Sequence, residues 1–402
     1  MALATSCEYS MSLDLNKRVT TIYKAWDKLE RDQYNNEIID FDNSLFLDQT
    51  LEVKSRVEVL KLLSNLLSDL SEKDCSSLEE FHFLECRLKA SLTYLSACLG
   101  ENLSFSSYIY HCYGIAPRMF PEEELQESFD SIDFMFQEMG FEFNLKYLEE
   151  YENLCVLQDK TIVKPKTLER VDFWLGLLAR DIELPEMQNV RVVFESADAY
   201  WANWISGSLE RGLELKINTH ERAKYLHGSP SMLASHEYCG HIVQGSSWSS
   251  QANTKQDDTR FSFTTVHGPE AFMMEGLADS LSFLLAEDEL LSREEILARK
   301  LVRHRNLVNN NLHYMINTGN HLSDVVEYYQ KYLPFDSESR IYSSLYDRSS
   351  SPLWRLYQYV YGIAQSYFLS NVPASGMRRS EFLRACYEKP MTKLQLDNLL
   401  RW

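Results

Sequence analysis

The chain has 402 residues, of which 45% are hydrophobic, 25% charged and 12% aromatic, and this composition excludes an intrinsically disordered protein. The 59 acidic residues outnumber the 40 basic ones and give a net charge of −19 at pH 7. Because such a field repels phosphate groups, we expect no nucleic-acid partner and no anionic membrane partner.

The N-terminal residues and the cysteines bear on the cellular compartment. The first residues lack the basic stretch and apolar core of a secretory signal, and no window has the ~20 consecutive apolar residues of a membrane span. The eight cysteines form no CxxC pair, and a chain of this length does not need disulfides to build a core. We therefore expect reduced thiols and a cytoplasmic protein.

The first half of the chain has the pattern of helices. From Asn16 to about Leu99, apolar residues recur near the helical period, and Ser77-Leu-Glu-Glu80 is a capping sequence. Further helices are predicted over 122–139 and 147–179, and no chemical motif stands out. We interpret residues 1–184 as a helical scaffold region.

The pattern changes near Pro185. Val190 to Glu195 is short and rich in β-branched residues, and Leu213 to Asn218 alternates like a half-exposed strand. Helical periodicity returns after Ser231 and continues to the C-terminus. The predicted fold class is therefore mainly α with a small β-sheet, in which residues 185–402 form a metal-binding catalytic region continuous with the scaffold.

Eight of the ten histidines lie between His220 and His321, and two of them belong to the segment His236-Glu-Tyr-Cys-Gly-His241. In zinc hydrolases, HExxH places two imidazoles on one helix face, and the intervening Glu activates water. Here the second histidine is one residue further on, about 140° out of phase on an ideal α-helix. A single π-turn would absorb the extra residue and restore a common face. The segment predicts a two-histidine metal site with Glu237 as general base.

A third ligand is expected from the segment Phe272 to Asp279. Glu275 would complete a His2Glu set for Zn²⁺ and leave a position open for water. Asp279 lies one helical turn further on, where it could accept a ring N–H from His236 or His241 and fix its tautomer. The alternative is that Glu275 is an ordinary ion-paired helix carboxylate.

These residues resemble known metallopeptidases. HEYCGHIVQ is similar to the HEFGHALH helix of oligopeptidases and Taq-type carboxypeptidases, with one residue inserted. It is more similar to HEAxPGHHLQ, the signature of a large bacterial zinc-peptidase-like family, with one residue removed. Over roughly residues 185–400, that family's EGWA, TGxH and YxxG segments are similar, in order, to Glu275-Gly-Leu-Ala, Asn317 to His321 and Tyr359 to Gly362.

The resemblance implies a gluzincin-like fold, with the active-site helix beside a short edge strand and the metal held by His236, His241 and Glu275. It also implies that His321 and Tyr359 face the substrate, where Tyr359 or His321 would help the metal to stabilise the oxyanion. The sequence departs from the family pattern where Cys239 replaces the proline and Ile242 replaces the third histidine of the motif.

The leading hypothesis is a zinc-dependent hydrolase acting on a peptide or a small amide, with 213–218 pairing to an extended substrate. Two alternatives stay open. The altered motif also fits a metal-dependent biosynthetic enzyme, hydrolase or lyase, on a relict peptidase scaffold. The third hypothesis is an inactive helical binding protein. For the individual residues, the alternative is that His321 is a capping or core histidine and that Tyr359 and Tyr361 pack in the core.

Overall fold

The computed structural model describes residues 2–44, 51–187, 189–198, 203–208 and 212–401, except for the side chains of 2–13, 203–206 and 208. Within these ranges the chain is mainly helical with a small sheet, which confirms the predicted fold class. No helix among the described residues is long and apolar enough to cross a membrane.

Among the described residues, seven α-helices lie before Val190, where the predicted sheet region begins. Ser55 and Ser77 cap two of them, since their side chains accept hydrogen bonds from the N–H groups of Glu58 and Glu80. The helices are α1 (Ala2–Tyr34), α2 (Arg56–Asp69), α3 (Leu78–Cys98), α4 (Phe105–Tyr113), α5 (Glu122–Gln137), α6 (Leu148–Leu154) and α7 (Val163–Leu178).

The second half is dominated by helices after residue 229. The first is continuous from Ser229 to Thr254 and changes its winding in the middle, so that it comprises α8 (Ser229–Leu233), a π-helix (Ala234–Ile242) and α9 (Val243–Thr254). The others are α10 (Ala271–Leu285), α11 (Arg293–Asn317), α12 (Leu322–Tyr332), α13 (Glu338–Ser350), α14 (Pro352–Asn371), α15 (Met377–Glu388) and α16 (Lys393–Leu400).

Within the described ranges, the sheet has five strands in the order β2-β4-β3-β1-β5. They are β1 (Ile39–Asp42), β2 (Val190–Glu195), β3 (Asn203–Ser208), β4 (Gly212–Asn218) and β5 (Phe263–Thr265). Strand β4 pairs in parallel with β2 on one side and antiparallel with β3 on the other. The prediction that residues 213–218 form an edge strand open to substrate is therefore wrong, because both backbone edges of β4 are already paired.

Strand β1 joins the two halves of the chain. It pairs in parallel with β3 and antiparallel with β5, although residues 16–99 were expected to be helical throughout. One hydrophobic core also runs through both halves, from Leu15 to Leu396. Arg87 of α3 crosses between them, since its guanidinium is buried against Glu270 at 3.1 Å and donates to the carbonyl of Phe263.

Candidate metal centre

The predicted π-turn is confirmed, and it extends over the whole motif. The backbone is a π-helix from Ala234 to Ile242, so each turn accommodates an additional residue. As a result, the Nε2 atoms of His236 and His241 lie 3.1 Å apart on one face. The two rings meet nearly edge to face, at 76°.

Helix α10 packs unusually close to this π-helix. A Cβ on Gly240 would lie 2.6 Å from the Cβ of Ala278, so only glycine fits there. The close approach brings the residues on either side of Ala278 toward the histidines. Glu275 and Asp279 both reach the pair from α10.

The two histidines and Glu275 form a group of three possible metal ligands. The Oε2 atom of Glu275 lies 3.7 Å from each Nε2 atom, and all three ligand atoms lie within 4.8 Å of one another. Tetrahedral ligands at the usual zinc distances of about 2.0–2.1 Å are ~3.3 Å apart, close to these values. Moreover, Glu275 Oε2 is buried and has no hydrogen-bond partner among the described residues. The donor set therefore fits a divalent ion.

Two further residues hold side chains of this group in place. Asp279 Oδ1 lies 2.8 Å from His236 Nδ1, as the sequence predicted, and this contact directs Nε2 of that ring toward the site. Tyr357 of α14 donates a hydrogen bond of 2.6 Å to Glu275 Oε1. The carboxylate thus has one oxygen bound to the protein and the other turned to the histidines.

The cluster favours a positive charge at its centre. Burial lowers the pKa of His236, but the hydrogen bond and charge of Asp279 outweigh it and raise that pKa to about 10. Burial, with the charge of His236 adding to it, holds the pKa of His241 well below its ordinary value. Burial raises the pKa of Glu275 to about 8, and the charge of His236 opposes this. The acidic groups of Asp279, Glu237 and Glu275 therefore favour the protonated imidazole of His236.

The cluster opens into a cavity of about 970 Å³. Glu237 lies in its wall, is only 2% exposed, and has its Oε1 atom 4.0 Å from His236 Nε2. The sheet, α11, α13 and α14 supply the other walls. A cleft of this size accommodates a peptide segment or a substantial small molecule.

The structure does not bring Tyr359 to this site. Its buried hydroxyl donates to the carbonyl of Arg118 at 3.1 Å and accepts from the same residue's N–H at 2.8 Å. Its ring packs edge to face on Phe105. The prediction that Tyr359 faces the substrate is wrong, because the opposite face of α14, with Tyr357 and Tyr361, lines the cavity.

His321 is also placed elsewhere. It is exposed at the N-cap of α12 and is not among the described residues that line the cavity. The prediction that His321 faces the substrate is therefore wrong. The TGxH resemblance identified a helix boundary instead, since Gly319, at φ +91°, ends α11 just before it.

Sequence reasoning missed several cavity residues, among them Asp40 and Tyr357, and it considered Tyr361 only as a core residue. Helical phase places Tyr357 and Tyr361 on one face with Ala364 and Phe368, but it does not show which face of α14 lines the cavity. A Cβ on Gly276 would lie within 3 Å of both of those residues, so this face packs on α10. Asp40 carried no local signal.

Comparison with known proteins shows the fold alone. No family model matches the chain, and no curated protein matches it. Among solved structures, the chain is similar to the putative lipoprotein from Colwellia psychrerythraea, with a TM-score of 0.56 and 11% sequence identity. The similarity covers 87% of this chain and 67% of that one.

Proposed function

We propose that the protein is a zinc-dependent hydrolase of a peptide or amide bond with a gluzincin-like active site. The observation that carries this proposal is the convergence of His236, His241 and Glu275 beside Glu237 in a large cavity. The resemblance of the motif to zinc-peptidase helices supports it. A buried carboxylate beside two imidazoles is the donor set of His2Glu catalytic sites.

A zinc ion bound by the three ligands supplies Lewis-acid activation of water and of the scissile carbonyl. Glu237 accepts the proton of the attacking water and passes it to the leaving amine. Its burial keeps bulk water from competing for that proton. Tyr357 holds Glu275 in place by its hydrogen bond of 2.6 Å.

Tyr361 takes the role that the sequence assigned to Tyr359. It lies one helical turn from Tyr357 and lines the cavity. The charges of Glu275, Asp279 and Glu237 help to raise its pKa well above the usual value, after burial as the main cause. A neutral hydroxyl at this position donates to the developing oxyanion without ionising.

The experiment that tests the function is Glu237→Gln in the zinc-loaded protein. A peptide library, read by mass spectrometry, provides the substrates. We expect wild type to cleave a subset and the variant to lose at least ~100-fold in rate while its zinc content stays the same. Glu183→Gln, an exposed carboxylate away from the cavity, is the control and should retain activity.

Two results would contradict the proposal. A zinc-loaded wild type that cleaves neither peptides nor small amides excludes a hydrolase of this class. Full turnover by the Glu237→Gln variant, with zinc bound, removes Glu237 from the role of general base.

A further inference from the structure

Strand β1 contains a β-bulge at Asp40. In the antiparallel pairing with β5, Ile39 lies opposite Thr265 and Phe41 lies opposite Thr264, so that Asp40 is an additional residue with no partner position. Bulges of this kind redirect a side chain and are frequent beside active sites. Ile39 and Phe41 are both buried, whereas Asp40 is half-buried and lines the cavity.

No described residue is a counterion of Asp40. Among the residues that the structure describes, it makes no hydrogen bond and no ion pair, and the charges acting on it are the acidic Glu37, Glu270 and Glu237. Burial, with these charges adding to it, raises the pKa of Asp40 to about 7. By contrast, Asp42 on the same strand pairs with Lys24 at 3.2 Å. Burying an ionised carboxylate without an opposite charge beside it costs free energy. A bound cation would supply that charge and remove the cost.

The same side of the cavity carries two more unsatisfied polar groups. Trp248 Nε1 and Thr264 Oγ1 are buried without a hydrogen-bond partner in the described part of the chain, and both residues line the cavity. Thr264 is paired with Phe41, and a Cβ on Gly245, three residues before Trp248, would lie 3.8 Å from the Phe41 ring. Asp40, Trp248 and Thr264 therefore belong to one wall, here called the β1 wall.

We propose that Asp40 is a specificity-determining residue that binds a cationic group of the substrate, an ammonium or a guanidinium. Trp248 and Thr264 hydrogen-bond to the polar atoms beside that cation. The inference rests on the proposed function and narrows it to amides or peptides with a basic group near the scissile bond. The net charge of −19 favours the approach of such cations.

The test uses n-butylguanidinium and its uncharged analogue n-butylurea. Neither is a strong metal ligand, so their binding can be measured by calorimetry on the zinc-loaded protein, at pH 8.5 to keep Asp40 ionised. Wild type should bind the cation at least ~10-fold more tightly than the urea. Asp40→Asn should abolish that difference, and Asp42→Asn should preserve it. Thermal unfolding checks that both variants are folded.

Equal binding of the two probes by wild type overturns the inference, as does a folded Asp40→Asn variant that still prefers the cation. Peptide substrates of the zinc-loaded enzyme distinguish a cationic side chain from the N-terminal ammonium as the group that Asp40 binds. Citrulline in place of arginine removes a side-chain cation, and acetylation removes the N-terminal ammonium. Hydrolysis with no charge preference contradicts the inference alone, whereas Asp40-dependent binding of the cation without any hydrolysis contradicts the proposed function alone.

Discussion

The Nε2 atoms of His236 and His241 lie 3.1 Å apart although five positions separate the residues in the chain. On an α-helix a spacing of five turns the second side chain about 140° away from the first. The π-helix from Ala234 to Ile242 removes that difference and places both rings on one face.

Substitution of Gly240 tests whether close packing at this residue brings α10 to the π-helix. In Gly240→Ala, the new Cβ would lie 2.6 Å from the Cβ of Ala278, and we expect a loss of about 1–3 kcal/mol in the free energy of unfolding. Weaker metal binding should accompany it, because Glu275 and Asp279 move with α10. Thermal unfolding and zinc titration measure the two effects.

Gly245→Ala is the matched control on the same continuous helix. Its Cβ would meet its nearest neighbours at 3.8 Å, an ordinary contact, and alanine is the better helix former. We expect a change within about 1 kcal/mol. Equal destabilisation by the two substitutions would show that close packing at Gly240 is not the cause.

Tyr357→Phe tests whether the hydrogen bond to Glu275 orients a metal ligand. Loss of a group that positions a ligand typically weakens metal binding by about 10- to 100-fold, and we expect a change in this range. Tyr359→Phe, two positions further on, should lower stability by about 1 kcal/mol and leave zinc affinity unchanged, since its hydroxyl bonds only Arg118 in the described structure. A larger effect on zinc from Tyr359→Phe would reverse the assignment of the two faces of α14.

His304 predicts a pH dependence of stability. Burial, as the main cause, lowers its pKa to about 4, and its Nε2 atom lies 2.8 Å from the carbonyl of Tyr332. Between pH 6.5 and 4, the unfolded chain binds a proton that the folded chain does not. Stability should therefore fall as the pH falls through this window, by about 3 kcal/mol from this residue.

The measurement is the slope of the unfolding free energy against pH in His304→Gln. Although the substitution lowers stability at every pH, it should make the slope between pH 4 and 6.5 shallower, since one titrating group is gone. His82→Gln, an exposed histidine of α3, provides the comparison. If both variants keep the wild-type slope, burial of a neutral His304 is not a source of acid sensitivity.

The convergence of His236, His241 and Glu275 could be predicted from the sequence because its constraints are local. A spacing of five between His236 and His241 requires a wider helical turn, and a spacing of four places Glu275 and Asp279 on one face. Both relations depend only on helix geometry. The capped starts of α2 and α3 follow from local chemistry in the same way.

Features that depend on distant contacts could not be predicted. Strand β1 is four residues long, and its partners lie more than 150 residues further along the chain. Whether Tyr359 or its neighbours face the cavity depends on which side of α14 packs on Gly276. The edge of β4 that we expected to be exposed is covered, because β2 pairs with it in parallel. The alternation of apolar and polar residues along β4 does not reveal this pairing.

Metal stoichiometry tests the central claim most directly. The protein is stripped with a chelator, reloaded with zinc, and measured by elemental analysis beside His241→Ala and His227→Ala, the latter an exposed histidine outside the cluster. The account predicts about one zinc ion per chain for wild type and His227→Ala, and almost none for His241→Ala. Wild type without stoichiometric zinc, or a His241→Ala variant that retains it, would contradict the account.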